Sequence, residues 1–281
     1  MTYPKLTVFN FKVSYYLFRI FTLFWLFEQV NFFKIFAKRP SDLYEPTIWL
    51  QKIVMPVFPS DFLYYSVVFV TVLMLVYSLF RFSVLVNISL FFLVAYISLP
   101  VIAYRGVGHH NHVLILSYFF SIFLNPKKLE DEDYKYVQIY YLGLLITYSL
   151  AGFWKLVSIA RDWITANPET SWFETNAAKY NSMLNYFIVD EKLPQWMFKM
   201  YEYENLWIVI TIIGIVLQAL CFLGAFSRKY LTFCLVFLVA FHFYNVYFVL
   251  ADWRSMKYGL IVLFFPYHYF YPWIRKAFQM H

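Results

Sequence analysis

Long apolar stretches alternate with short polar or proline-containing breaks along most of the chain. Most of these stretches have about the 20 residues that a helix needs to cross a bilayer. Apolar runs of this length indicate helices rather than strands, which are shorter. The pattern predicts eight membrane-spanning helices, over residues 12–36, 62–80, 84–104, 109–124, 136–158, 204–226, 229–250 and 256–274.

Residues 159–203 differ from these stretches in kind. The segment is polar from Thr165 to Asn176 and semi-amphipathic from Tyr180 to Tyr203. We interpret it as a long outer loop that carries one or two interfacial helices lying on the membrane. A loop of this length is as often a plain connector as a lid or a binding element. No internal repeat is visible, so the sequence predicts a single domain over residues 1–281.

Composition fixes the class of the protein. Of the 281 residues, 62% are hydrophobic and only 14% are charged, which is too apolar for a soluble domain of this size. The predicted fold class is therefore an all-α polytopic membrane protein. Cys221 and Cys234 lie in adjoining apolar stretches without metal-ligand spacing, and we expect them to be buried free thiols.

The basic residues indicate an orientation. The net charge is +7, but lysines and arginines are spread over short loops and form no stripe, so we expect no nucleic-acid partner. Their modest excess in alternate loops favours cytoplasmic N- and C-termini, in what we take to be a bacterial inner membrane. In that orientation, residues from distant parts of the chain fall near the extracytoplasmic side: Arg105, His109, His112, Lys155, Trp163, His242, Asn245 and Arg254. Polar residues that gather at one membrane depth are how a site is built between helices.

Lys155 is the first candidate for chemistry, because it lies in a stretch that otherwise reads as membrane-spanning. A charge at the bilayer centre costs about 2.5–3.5 kcal/mol, so such a residue is usually paired, functional or snorkelling to the headgroups. Ala151 and Gly152 share its helical face and leave room for another helix or a ligand. A neutral lysine can act as a general base or a Schiff-base nucleophile. Snorkelling remains an equally open alternative.

The histidine-rich run before residue 113 allows three readings. His109 and His112 are three residues apart, so they would share a helical face and a metal pair is conceivable, although no carboxylate or thiolate lies near. Hydrogen bonding at the start of a helix is the structural alternative. The third reading, in which His112 or a neighbour forms a hydrogen bond to the substrate or transfers a proton, is the one we prefer, and we expect no metal.

His242 and Asn245 lie three residues apart inside an apolar stretch, and both need partners there. Hydrogen bonding between helices without chemistry is one explanation, and substrate binding is the other. Arg19 in the first stretch also needs a partner, and we predict a structural role for it.

Four motifs together resemble the horizontally transferred transmembrane domain family, which includes vitamin K-dependent gamma-carboxylases. The chain carries Leu17-Phe-Arg19-Ile20, Asn111-His112, Tyr148-Ser-Leu-Ala-Gly152-Phe-Trp-Lys155-Leu156 with Asp162-Trp163, and Phe241-His242-Phe-Tyr-Asn245. They occur in the family's order and spacing over nearly the whole chain. The family's segment has two lysines, and Lys155 matches the second, while Trp154 stands in place of the first.

The resemblance implies a base that deprotonates a reduced quinone of the vitamin K or menaquinone type, which would be Lys155. It implies that His112 supports the later steps, and that the site faces the extracytoplasmic side. The carboxylases also have a large lumenal region for their protein substrate. We expect none here, so carboxylation of a protein is not the expected reaction.

Two hypotheses follow. The first is a membrane-embedded enzyme, carboxylase- or lyase-like or oxidoreductase-like, acting on a quinone-like lipid or an exported peptide. Lys155 and His112 would be catalytic, and the residues that would bind substrate are His242, Asn245, His109, Arg105, Trp163 and Arg254. The alternative is a non-catalytic membrane partner in the maturation or export of a secreted peptide, for which the expected partners are the peptide itself or a separate extracytoplasmic subunit. A transporter is the weaker third reading, since no inverted repeat is visible.

Overall fold

The computed structural model describes residues 6–46, 49–105, 111–165, 177–189, 194–250 and 254–270. Side chains are described for these residues apart from 6–7, 102–105, 162–163, 188–189, 254 and 256. Of the described residues, 85% are helical and none lies in a β-strand, which confirms the predicted all-α class. The α-helices within these ranges are α1 (Leu6–Phe36), α2 (Trp49–Val54), α3 (Asp61–Phe80), α4 (Val84–Arg105), α5 (His112–Phe120), α6 (Tyr134–Thr165), α7 (Ala177–Val189), α8 (Gln195–Tyr201), α9 (Glu204–Ala219), α10 (Arg228–Phe248) and α11 (Arg254–Phe264).

Five helical stretches in the described part of the chain are long and apolar enough to cross a membrane. They are Asp61–Phe80, Val84–Val101, Asp131–Arg161, Glu204–Phe226 and Arg228–Phe248. These stretches are compatible with an integral membrane protein. The count of eight spans stays a prediction.

Two predicted spans are shorter in the structure. The helix predicted over 109–124 is the nine-residue α5, and the one predicted over 256–274 is the eleven-residue α11. Both are shorter than the ~20 residues that cross a bilayer. The backbone N–H of Ser121 bonds to carbonyls at the end of α5, where the chain turns, and Pro266 has no N–H with which to continue α11.

The chain divides into two compact units, the first with Met1–Tyr140 and Tyr258–His281 and the second with Tyr141–Lys257. In the first unit, α1 packs against α3 and α4, and α4 packs against α3 and α5. Leu90, Val94 and Ile97 of α4 are fully buried in its core. The rings of Phe33 and Tyr64 stack with their centroids 3.8 Å apart.

The second unit contains a helical hairpin. A 3₁₀ segment, Leu220–Phe226, joins α9 to α10, and the Ser227 hydroxyl caps α10 by accepting the Tyr230 N–H at 3.3 Å. The predicted outer loop over 159–203 contains α7 and α8 in its described part, and α7 packs against α9. An interfacial position for these two helices stays a prediction.

Candidate functional site

One face of α6 packs against the hairpin of the second unit. Leu145, Ser149 and Gly152 recur at helical spacing and are all buried. The Phe222 N–H donates to Ser149 Oγ at 2.8 Å. A Cβ placed on Gly152 would lie 2.7 Å from the Ala219 Cα, so the glycine lets the α6 and α9 backbones approach closely. The next residue on this face is Lys155.

The close approach brings Lys155 to the end of α9. Its Nζ donates a hydrogen bond to Gln218 Oε1 at 2.8 Å and lies 5.7 Å from the centroid of the Phe241 ring. Gln218 is buried, and Lys155 is partly buried. An ammonium at this distance from an aromatic face is attracted by the ring electrons, so the amine is held between a carboxamide and a ring.

The Lys155 amine lies at the wall of a cavity of about 450 Å³ inside the second unit. This volume lies within the range of small-molecule binding sites. Lys155 is the only charged residue among the described residues that line the cavity. The cavity is lined by Lys155, Ala177, Ala178, Asn181, Ile210, Thr211, Ile213, Gly214, Ile215, Leu217, Gln218, Phe237, Ala240, Phe241, Tyr244, Asn245 and Val249.

The first turn of α7 forms one wall of the cavity. The Ala178 N–H donates to Thr211 Oγ1 at 3.2 Å, and the Tyr244 hydroxyl donates to the Ala178 carbonyl at 3.1 Å. Further along α7, the Tyr186 hydroxyl donates to the Tyr247 carbonyl at 2.8 Å. These three bonds fix α7 to α9 and α10, and so fix the position of its residues in the wall.

An aromatic cluster beside this wall joins α7 and α8 to the hairpin. Tyr186, Met197, Tyr201 and Trp207 form its buried part. The hydroxyls of Ser182 and Tyr201 share a hydrogen bond of 2.6 Å, and burial raises the pKa of the Tyr201 hydroxyl. The cluster packs α7 and α8 against α9 beside this wall.

The structure brings two of the predicted site residues to the same cavity, Lys155 and Asn245. His242 is buried next to it and is not among the lining residues. Its Nε2 lies 3.2 Å from the Tyr148 hydroxyl of α6, so this pair links α6 to α10. The histidine thus has the interhelical bond that an apolar helix requires.

Of the other predicted site residues, only His112 has a described side chain, and it lies in the first unit. His112 begins α5 and is exposed, and the neighbouring Asn111 is buried and accepts the Trp25 indole N–H at 3.2 Å. A role for His112 in a site with Lys155 stays a prediction. His109 lies outside the described residues, so the pair that it would form with His112 cannot be located. Arg105, Trp163 and Arg254 lie in helices, but their side chains are not among those described.

Arg19 is 2% exposed in the first unit. Its guanidinium donates to Ser78 Oγ at 3.0 Å, to Asn87 Oδ1 at 2.9 Å and to the Tyr15 carbonyl at 3.0 Å. It also lies 3.3 Å from the centroid of the Tyr15 ring. The groups that accept these bonds are uncharged, and this arrangement is consistent with the predicted structural role of Arg19.

Both cysteines are buried free thiols, as predicted. Among the described residues, no group of three or more histidines, cysteines and acids is placed to hold a metal ion.

Sequence reasoning missed Gln218, Thr211 and Asn181. Gln218 and Thr211 are polar residues inside an apolar stretch, which is the signal that singled out His242, so they were detectable. Asn181 gave no such signal, because it lies in a semi-amphipathic segment where polar residues are common. In comparisons with known proteins, no family model, no curated protein and no solved structure matches this chain.

Proposed function

We propose that this protein is a membrane-embedded enzyme in which Lys155 acts as a general base on a lipid-like substrate of the reduced-quinone type. The observation that carries the proposal is the position of the Lys155 amine, at the wall of an apolar cavity and bonded to Gln218. The sequence resemblance to the carboxylase-like membrane family supports the same residue as the base.

The cavity suits this chemistry in two ways. Its walls are mostly aliphatic and aromatic, so they would bind an apolar ring or chain and exclude water. Apolar surroundings also favour the neutral form of an amine, which is the form a base requires. A carboxamide oxygen such as Gln218 Oε1 accepts a hydrogen bond from the amine before and after it takes up a proton.

In the proposed reaction, a reduced quinone would supply a weakly acidic hydroxyl group. Lys155 Nζ would accept the hydroxyl proton and become an ammonium group, held by Gln218 and by the face of the Phe241 ring. Asn245 would bind a second part of the ligand. The bond between His242 and Tyr148 would hold α10 against α6 behind the cavity. The role that the resemblance implies for His112 remains part of the proposal.

Mass spectrometry of the quinones that co-purify with the protein tests this proposal. We expect the wild type to retain a menaquinone or related lipid, and Lys155→Ala to retain less or a different one. Lys199→Ala is the matched control, because Lys199 is an exposed lysine of α8 that is not among the lining residues. The absence of quinone from a folded wild type, or unchanged quinone in Lys155→Ala, would overturn the proposal.

A second candidate is a non-catalytic partner that holds an exported peptide. It is favoured by the exposed aromatic side chains of α7 and α8, of which Phe187 is 84% exposed, Phe198 57% and Trp196 52%. These residues would contact lipid headgroups or a peptide. Crosslinking from Phe198 to a secreted peptide, together with normal peptide maturation in Lys155→Ala, would favour this candidate over the enzyme.

We also propose that the termini are cytoplasmic and that the site opens to the extracytoplasmic side. This orientation predicts that a cysteine at Asp42 reacts with a membrane-impermeant maleimide added to intact cells, whereas one at Asp131 reacts only after lysis. Both positions are exposed, and both native cysteines are buried, so the background should be low. The reverse labelling pattern would invert the orientation.

A further inference from the structure

Asn245 presents a buried carboxamide to the cavity. It is 9% exposed, and its side chain has no hydrogen bond to any other residue in the described part of the chain. The Val249 N–H that bonds to Asn245 uses its backbone carbonyl and leaves the side chain unused. Buried carboxamides are normally hydrogen-bonded, because an unmade bond costs the full desolvation of the group. This carboxamide therefore points to a bound molecule.

A second carboxamide lines the same cavity from α7. The side chain of Asn181 likewise has no hydrogen bond within the described residues, although its backbone carbonyl accepts a bond from Asn185 Nδ2. Its position is set by the bonds that fix the first turn of α7, from Ala178 to Thr211 and from Tyr244 to Ala178. Two carboxamides on separate helices thus line one cavity, and they are not hydrogen-bonded to each other.

These carboxamides lie away from the lysine. On α10, Asn245 follows Phe241 by four residues, which is about 6 Å along a helix. On α9, Gln218 follows Thr211 by seven residues, or about 10 Å. The cavity thus has an amine end at Lys155 and a carboxamide end, with apolar walls between them.

The chemistry of the carboxamide end selects an uncharged group. A carboxamide donates through its nitrogen and accepts through its oxygen, so it suits a partner that does both. No charged side chain is among the described lining residues at this end, where an anion or a cation would lack a counter-charge. A hydroxyl or an amide has the required donor and acceptor, whereas an ether or a methyl group does not.

We propose that Asn245 and Asn181 form a second polar subsite, which binds an uncharged hydroxyl or amide on the same molecule whose other end meets Lys155. The proposal names the ligand chemistry at the site proposed above. It therefore rests on the cavity being a ligand site, but it does not require Lys155 to act as a base.

The test uses three deuterated probes of matched length, namely 1-decanol, decanamide and methyl nonyl ether. Each is added to nanodiscs that contain the protein, and mass spectrometry measures how much remains with the captured protein. The same measurement is made on Asn245→Leu, which keeps the size of the side chain. Comparing the wild type with this variant corrects for the amount of each probe that partitions into lipid. We expect the wild type to retain the alcohol, the amide or both about tenfold more than the ether, relative to Asn245→Leu.

Equal retention of all three probes by the wild type, after subtraction of the amount that protein-free nanodiscs take up, would overturn the proposal, and this result does not depend on whether a variant folds. A preference that persists in Asn245→Leu would overturn it as well. A preference for only one of the alcohol and the amide supports the proposal and identifies the group. Lys155→Met separates the two proposals, because it should keep the probe preference while the binding or turnover of a reduced quinone is lost.

Discussion

Gly152 is the contact point between α6 and α9, so Gly152→Ala is the most direct test of the site's construction. An added Cβ would lie 2.7 Å from the Ala219 Cα and 2.9 Å from the Gln218 carbonyl carbon, and closer still to the Ala219 nitrogen. Carbon atoms in contact prefer about 3.5–4.0 Å, so the two helices would have to separate by about 1 Å. The neighbouring atoms belong to the backbone and cannot rotate away.

The size of the effect follows from two opposing terms. Overpacking a close contact costs about 1–3 kcal/mol, and a backbone contact belongs at the upper end of that range. Alanine returns about 1 kcal/mol of helix propensity relative to glycine. We expect a net loss of about 1–2 kcal/mol in the free energy of unfolding. The separation would also lengthen the hydrogen bond between Lys155 and Gln218, which is 2.8 Å in the native protein, beyond about 3.5 Å.

Gly214→Ala is the matched control, because Gly214 lies on the same helix, α9, and a Cβ there meets nothing within 4 Å. It should gain the helix propensity without the clash. Thermal unfolding followed by circular dichroism should show a decrease of about 2–8 °C for Gly152→Ala and an increase of up to about 4 °C for Gly214→Ala. Equal shifts in the two variants would refute the close approach of α6 and α9.

Three further changes test other contacts. Gln218→Leu keeps the side-chain volume but removes the acceptor of the hydrogen bond from Lys155. Quinone retention should therefore fall about five- to tenfold with the fold intact, and unchanged retention would count against the site. Asn87→Leu removes an acceptor from the buried Arg19 guanidinium and should cost about 2–3 kcal/mol in chemical unfolding, whereas no loss would show that this bond is dispensable. Tyr148→Phe should cost about 1 kcal/mol, and a double-mutant cycle with His242→Phe should show coupling; strict additivity would contradict the bond between them.

The helices were predictable where a long apolar stretch ends at clear polar residues on both sides. The apolar stretches at 62–80 and 204–226 correspond closely to α3 and to α9 with its 3₁₀ extension, because uniform apolar composition and clear polar breaks coincide there. The stretch at 109–124 was overestimated. Apolar character continues through Ile122 and Leu124, but the helix has already ended, since hydrophobicity reports where a segment prefers to lie and not how its backbone bonds.

Two of the residues that line the cavity were visible in the sequence. Lys155 and Asn245 were singled out because a polar residue is costly in an apolar stretch, and both line the same cavity. The contribution of α7 was not visible, because Asn181 reaches the cavity only after the chain folds back over α9. That contact depends on the bond from Ala178 to Thr211, between residues 33 positions apart. No local pattern encodes such a meeting.

The hydrogen bonds of Arg19 have a consequence for how the chain is made. Its acceptors Ser78 and Asn87 lie 59 and 68 residues later in the sequence, in α3 and α4, which are synthesised after α1. The sequence predicts α1 to be a membrane span, and as a span it would carry a guanidinium without these acceptors until those residues leave the ribosome, which is costly for an arginine in lipid. As a membrane span, α1 is therefore expected to insert stably only after Asn87 of α4 has left the ribosome. Nascent chains stalled with Asn87 still inside the ribosome should leave α1 extractable from the membrane, and chains long enough to expose Asn87 should not.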